Sequence, residues 1–420
     1  MAVASIFGER GGNARRGPGA GKVALVLSGG GIPGWMYEIG CLTALDEFFE
    51  AGFSSNDFNI FVGTSAGANA AALMANGIRP RAIYDAVMAD DASPFNFRRE
   101  DIYAFGTGET WPTLRKAGAA LFRASRHLAL GVVRKRRRPS LLDLAYAVQE
   151  ILPSGIFTLK PLERHLREHL SREPYSNDFR TLRGELFIPA VDLDRGEYVV
   201  FGADGFDRVP ISRAVAASSA VPVLFQPVRI DGVDYIDGGI GRVANMDVAI
   251  RHGAGLLVVI NPVVHLENDR KGVCLPTCHG FCRGLRDKGM SFVADQAMRI
   301  NTSIRLRLAR EHHRASHPGI DIAIIEPDPK DTFMFTQNVV GHEARKEVLR
   351  YGYRATVTHL GHNFEALRDM FGRRGIAVGL GRFRWRPKVG GLTVMGPNER
   401  QRVADALPAD ALPDPARKVS

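Results

Sequence analysis

Residues 63–67 read Gly-Thr-Ser-Ala-Gly, the Gly-x-Ser-x-Gly spacing of a nucleophile elbow. Acyl transfer by such an element needs Ser65 on a strained strand-to-helix turn at the carboxyl end of a sheet. Gly63 and Gly67, two positions either side, remove the Cβ atoms that would clash there. The setting agrees: the apolar strand FNIFV at 58–62 precedes the turn, and an Ala-rich helix over 66–76 follows, ended by Asn76-Gly77. That helix favours negative charge developing at its N-terminus. The five-residue pattern alone leaves a chance Gly/Ser turn open; the strand–turn–helix context argues for chemistry.

A second glycine run, Ser28-Gly29-Gly30-Gly31-Ile32-Pro33-Gly34, follows the apolar strand VALVL at 23–27 and opens a helix. It fits Gly-x-Gly-x-x-Gly, which in this setting suggests a dinucleotide fold. That reading wants an acid at the end of the second strand for the ribose hydroxyls. Here the strand ends in Val62-Gly63-Thr64-Ser65, with no acid, which argues against a dinucleotide-binding oxidoreductase. The two loops instead explain each other. Adjacent parallel strands bring both to one sheet edge, where the backbone N–H groups of Gly30, Gly31 and Ile32 can point at a carbonyl over Ser65 as an oxyanion hole. Pro33 donates nothing and suits the first helical turn. The third signal is Asp237-Gly238-Gly239: an aspartate ending a short strand before a glycine turn is placed to meet another loop. An ordinary β-turn explains the same residues.

Positioning these residues takes a β-loop-α-β-turn-α unit with a right-handed parallel crossover. After the strand at 23–27, apolar residues Ile39, Leu42, Leu45 and Phe49 share one face of a helix over 35–50. Residues 80–159 read as mostly helical, an insertion or cap. Strands are expected at 186–191 and 198–201, and a helix at 211–219. A hairpin pairs 228–230 with 235–236 across Asp231-Gly232. A buried strand at 255–260, a long Arg-rich helix at 291–317, a strand at 320–325 and a helical stretch at 339–370 complete the pattern.

In this order the glycine loop GGGIPG, the elbow GTSAG and the DGG turn resemble the patatin-like phospholipases. The resemblance covers about residues 23–262, including the approach ISRAVAASSAVPVLFQPVRIDGVDYIDGG to the aspartate. It implies a three-layer α/β/α sandwich with a mainly parallel central sheet, plus helical additions. It also implies a Ser65–Asp237 dyad in place of a triad, oxyanion N–H groups from Gly30, Gly31 and Ile32, and hydrolysis of phospholipid or other fatty-acyl esters without metal or cofactor. The remaining motif positions carried over are Gly29 and Gly34 in the loop, Gly63 and Gly67 at the elbow, and Gly238 and Gly239 in the turn. Two positions depart from the family: Pro33 stands where members commonly have Arg, and Ser28 where plant members have Asp. A non-catalytic lipid-binding protein of the same fold is the alternative, and the intact Ser65 and Asp237 argue against it. His252, His265, His312, His313, His317, His342, His359 and His362 all follow Asp237, so chain order does not exclude a Ser–Asp–His triad. None sits in a clear loop motif, and surface positions are expected for all of them.

The chain has 420 residues, 45% hydrophobic and 24% charged, which excludes wholesale disorder and collagen-like structure. The expected organisation is a disordered segment at 1–21, a hydrolase domain at 22–380 with its cap at about 80–160, and a poorly ordered tail at 381–420. No secretory leader and no apolar stretch of transmembrane length is visible. With four cysteines and Cys41 far from the others, a reducing, cytoplasmic setting is expected, peripheral to a membrane. Cys274, Cys278 and Cys282 match neither common zinc spacing and read as ordinary loop or helix cysteines.

Net charge is +10, and residues 113–138 hold nine cations, interleaved leucines and valines, and no acid. This segment suits an anionic lipid interface. A solvated helix face with a basic linker fits as well. Nuclear localisation or nucleic-acid binding is a third reading with no accompanying motif, and no nucleic-acid partner is expected. Replacing Arg134, Arg136, Arg137 and Arg138 by Gln is expected to weaken binding to anionic vesicles at low salt, with hydrolysis of a soluble short-chain ester unchanged. Equal vesicle binding before and after would rule the segment out as a membrane contact.

Overall fold

Val23, Leu25 and Leu27 pack into one hydrophobic core, while Ala24 and Val26 pack into a second. Residues of one strand that alternate between two cores require a helical layer on each face of the sheet. That is the arrangement in the computed structural model, which describes residues 21–383 except 51, 107–152, 243, 271–272 and 278–279. The basic segment at 113–138, most of the expected cap, Cys278 and the expected N- and C-terminal tails lie outside these residues, apart from Gly21 and 381–383.

The elements run β1 (Lys22–Leu27), α1 (Gly31–Phe48), β2 (Ile60–Gly63), α2 (Ala66–Ala75), α3 (Pro80–Ala89), α4 (Arg99–Ile102), β3 (Ala104–Phe105), β4 (Gly155–Thr158) and α5 (Lys160–Leu170). Then follow β5 (Glu185–Asp192), β6 (Tyr198–Phe201), α6 (Ile211–Ser218), β7 (Val223–Phe225), β8 (Val228–Ile230), β9 (Val233–Asp237) and α7 (Met246–Arg251). The last are β10 (Ala254–Ile260), α8 (Met290–Ser316), β11 (Asp321–Ile325), α9 (Arg345–His362) and α10 (Phe364–Gly372). The main sheet is ordered β11-β10-β1-β2-β5-β9-β8, with β6 also on β5. From β11 to β5 the pairings are parallel, and β6, β8 and β9 join antiparallel. The fold is therefore mixed α/β with a central, mostly parallel sheet. The first core takes in α1, α2, α6 and α9, and the second α7 and part of α8. The expected hairpin is present between β8 and β9, with Asp231 and Gly232 both at positive φ as its tight turn demands. No helix among the described residues is long and apolar enough to cross a membrane.

Four expectations are corrected. First, α1 begins at Gly31, inside the glycine loop, and not near residue 35. Pro33 fits a first turn, and positive φ at Gly29, Gly30 and Gly31 lets the chain turn directly into the helix. Second, the described ends of the region 80–159, expected to be mostly helical, also hold short strands that were not expected: β3 and β4 join β7 in a small three-stranded sheet, where Phe105, Phe157 and Phe225 pack ring against ring. Strands this short carry no readable alternation. Third, the stretch from 339 becomes helical only at Arg345 and breaks at Asn363. Fourth, Cys274 and Cys282 are joined in a disulfide. Pro276 and Cys282 pair as a small antiparallel bridge, and this fold-back brings the cysteine Cα atoms to 5.6 Å.

The longest helix contact near the site is between α1 and α9, and small residues set its closeness. A Cβ on Gly40 would lie 2.4 Å from the Leu349 carbonyl oxygen, and one on Gly352 would lie 2.5 Å from the Tyr37 carbonyl oxygen. Gly40→Ala should thus push the helices apart and cost about 1–3 kcal/mol. Gly372→Ala, where nothing lies within 4 Å, should leave stability near wild type. Thermal or urea unfolding checks both, and a wild-type midpoint for Gly40→Ala would contradict the packing described.

Candidate active site

β1 and β2 pair in parallel with Leu27 opposite Gly63, so the loops that follow them emerge side by side. At the second loop Ser65 has φ 57° and ψ −130° and is 8% exposed. A left-handed φ on a serine costs on the order of 1–3 kcal/mol and persists only where its surroundings hold it. Here they do. The Ser65 N–H donates to Ser218 Oγ at 3.0 Å, and Asn245 Nδ2 donates to Thr64 Oγ1 at 2.7 Å. The glycine loop presses on the turn directly: a Cβ on Gly29 would lie 2.4 Å from the Thr64 carbonyl oxygen and 2.9 Å from Ser65 Cβ. Gly63 and Gly67 are equally enclosed, with carbonyl oxygens 2.4 and 2.5 Å from where their Cβ atoms would be. Gly34 lies against the Gly29 carbonyl.

The glycine loop places its donors unequally. The N–H groups of Gly30 and Gly31 donate to no acceptor among the described residues, whereas Ile32 N–H donates to the Val339 carbonyl at 2.9 Å. Of the three expected oxyanion donors, Ile32 thus has its N–H engaged by a segment remote in sequence. Beneath the loop, Glu38 accepts the Gly29 N–H at 2.9 Å through Oε1, and its Oε2 has no partner. Complete burial pushes the Glu38 carboxyl up to about 8 against the opposing backbone hydrogen bonds from Gly29 and Ser28. Ser218, Asn245 and Glu38 were not singled out from the sequence. Each acts through a tertiary contact that no local motif encodes.

Asp237 ends β9. Continuing the β2–β5 register, with Val62 opposite Phe187, carries Ser65 to the level of Ala190, which pairs with Asp237. The Asp237 N–H is held by the Ala220 carbonyl at 3.0 Å, and its Oδ1 accepts the Gly239 N–H at 2.7 Å. Gly238 packs on the Pro189 carbonyl, where a Cβ would lie at 2.3 Å, and Gly239 abuts Thr64 of the elbow. Burial pushes the Asp237 carboxyl up to about 6, while the Ser65 side chain and then the Gly239 N–H oppose the shift. The Ser65 hydroxyl is thus near enough to act on the carboxyl, yet Oδ2 completes no hydrogen bond of ordinary geometry.

Ser65 and Gly31 open onto a cavity of about 70 Å³, walled by Trp35, Phe97, Leu162, Phe225 and Val340 among others. The wall is apolar, as an acyl chain requires. Among the described residues no histidine lines it. His265 binds Ser303, His342 binds the Phe97 carbonyl, and His312 is exposed. The surface expectation is corrected for His313, which is buried on the inner face of α8 together with Arg299 and Leu306, seven residues apart in turn.

Asp237 titrates at about 6 in the folded chain against ~3.9 when unfolded. The folded state binds the proton more tightly, so this stabilisation is full below about pH 4 and is lost as pH rises through about 6. At pH 7 the buried charge costs on the order of 3 kcal/mol. Asp237→Asn should therefore melt above wild type at pH 7 and near it at pH 4. A lower midpoint at pH 7, measured by calorimetry, would contradict the burial argument.

A family model described as patatin-like phospholipase matches residues 25–250, more than half of the chain. Among solved structures, VipD from Legionella pneumophila aligns over 81% of this chain and 67% of its own, at 17% identity and a TM-score of 0.33. The type III effector protein ExoU aligns over 81% of this chain and 53% of its own, at 16% identity and a TM-score of 0.32. The comparison with curated proteins returned no match. With the glycine loop, elbow and aspartate turn brought together at one edge of a mostly parallel sheet, and a family model spanning all three, the chain belongs to the patatin-like phospholipase family.

Proposed function

We propose that the chain is a serine lipid acyl hydrolase of the phospholipase A or lysophospholipase type, working through a Ser65–Asp237 dyad. The observation that carries this is the strained, enclosed Ser65 beside a buried carboxyl whose Oδ2 has no other partner. Residues 22–380 form the hydrolase domain in this reading, and the basic segment at 113–138 draws it to an anionic membrane surface.

The chemistry runs in two halves. Ser65 Oγ attacks the acyl carbon as its proton passes to Asp237 Oδ2, and the carbonyl oxygen takes the negative charge. The free N–H groups of Gly30 and Gly31, with the α1 N-terminus behind them, stabilise that charge. The carbon–oxygen bond to the leaving alcohol then breaks, and the alcohol leaves with the proton from Asp237. Water attacks the acyl-serine, giving a proton to Asp237 that returns to Ser65 as the fatty acid departs. A carboxyl titrating near 6 is ionised at neutral pH, and it is a stronger base than an exposed aspartate. Glu38 supports the loop from behind; it stays largely neutral and so does not oppose the oxyanion.

Ser65→Ala and Asp237→Asn should each lower kcat on a fatty-acyl ester by ~10³-fold or more, and the double variant should fall little further, because the two act as one unit. Alanine at His265, His313 or His342 should keep substantial turnover. A single histidine whose loss matches that of Ser65 would replace the dyad with a triad. Near-wild-type turnover in Ser65→Ala would overturn the reading altogether.

A further inference from the structure

Helix α8 carries apolar residues on two opposite faces. Leu306, with Arg299 and His313, is turned into the protein. On the other side Val293, Ile300, Ile304 and Leu308 recur at helical spacing and are exposed, Leu308 at 56%. Exposed apolar side chains in such a row mark an interaction surface.

Beside this row is a second cavity, of about 380 Å³, between α8 and the loops that follow β10 and β11. Ile300 and Ile304 form part of its wall, so the apolar row runs into it. Arg307 and Arg310, one turn apart, also line it, with His265 and Glu326 across from them. Among the described residues neither guanidinium has an ion pair or hydrogen bond, and Arg310 Nε is buried without a partner. His265 hydrogen-bonds Ser303 through Nδ1 at 3.0 Å, and Glu326 accepts from Asn261 Nδ2 at 2.7 Å. One carboxylate, hydrogen-bonded by Asn261 and in the field of Arg310, faces two guanidinium groups that make no ion pair or hydrogen bond among the described residues. Paired guanidinium groups suit a phosphate, whose oxygens take N–H donors in parallel.

We propose that this cavity binds the phosphate of an anionic lipid headgroup through Arg307 and Arg310, with Ile300, Ile304 and Leu308 entering the surrounding acyl layer. Charge and apolar surface on one helix face are what an anionic interface recognises. The site is separate from the Ser65 cleft but tied to the same machinery, because Arg305 Nη1 donates to the Ile240 carbonyl at 2.8 Å, just past the Asp237 turn. A bilayer held on α8 would thus lie near the Asp237 turn. The inference leans on the acyl-hydrolase reading only for choosing an amphiphile, and its binding readout does not involve hydrolysis.

Co-sedimentation of the full chain with phosphatidylcholine vesicles, with and without phosphatidylglycerol, tests it. Arg307→Gln/Arg310→Gln should weaken binding to the phosphatidylglycerol vesicles by roughly tenfold or more. Arg164→Gln/Arg172→Gln removes the same charge from exposed positions elsewhere and should change binding little. The comparison is repeated with Arg134, Arg136, Arg137 and Arg138 already replaced by Gln, so that the basic segment cannot mask it. An unchanged thermal unfolding midpoint shows that the variants fold. Equal weakening by both double variants would overturn the proposal in favour of general charge attraction. Saturable binding of inorganic phosphate, lost in Arg307→Gln/Arg310→Gln while vesicle binding is unchanged, would overturn it in favour of a free-phosphate site.

Discussion

The structure turns on one close approach: the backbone of the glycine loop lies against the backbone of the serine turn. Gly29 has room for no side chain, because the Thr64 carbonyl and Ser65 Cβ occupy the space. This contact holds Ser65 at a φ that serine rarely adopts, and it brings two free N–H groups to the same sheet edge. It also explains the parallel order β10-β1-β2-β5. Two strands that leave one edge side by side are the simplest way to place two backbone turns in contact.

Around that contact the protein buries two carboxyl groups with no cationic partner. Glu38 lies under the oxyanion loop and Asp237 beside Ser65, and burial raises both. Each spends one oxygen on a backbone N–H and leaves the other without a hydrogen bond among the described residues. They differ in place: Glu38 lies behind the glycine loop and Asp237 at the serine turn, where the proposed dyad has it take the Ser65 proton. Desolvation is destabilising at Asp237, and that cost is the same property that makes it a usable base.

Much of this was legible in the chain because it is local. A continuous apolar run predicts a buried parallel strand, and GTSAG predicts its own turn. Asp231-Gly232 predicts a hairpin, and the structure has each of them. What escaped is set by contacts between distant segments. The Val339 carbonyl takes the Ile32 N–H, Ser218 takes that of Ser65, and Glu38 reaches back to Gly29. None of these partners lies in a motif. Other features were too short or too evenly mixed to read. β3 has two residues, and α8 shows apolar side chains on both faces, so its burial could not be assigned from periodicity. His313 was misjudged for the same reason.

The central claim is that Ser65 is activated by Asp237 alone. Labelling with a fluorophosphonate, followed by peptide mass mapping, tests it most directly. The account predicts a single phosphonyl adduct on the peptide containing Ser65, formed rapidly in wild type and far more slowly in Asp237→Asn, with the same rate when His265 or His342 is replaced. An adduct on a different serine, such as neighbouring Ser218, or labelling of Asp237→Asn at the wild-type rate, would contradict it.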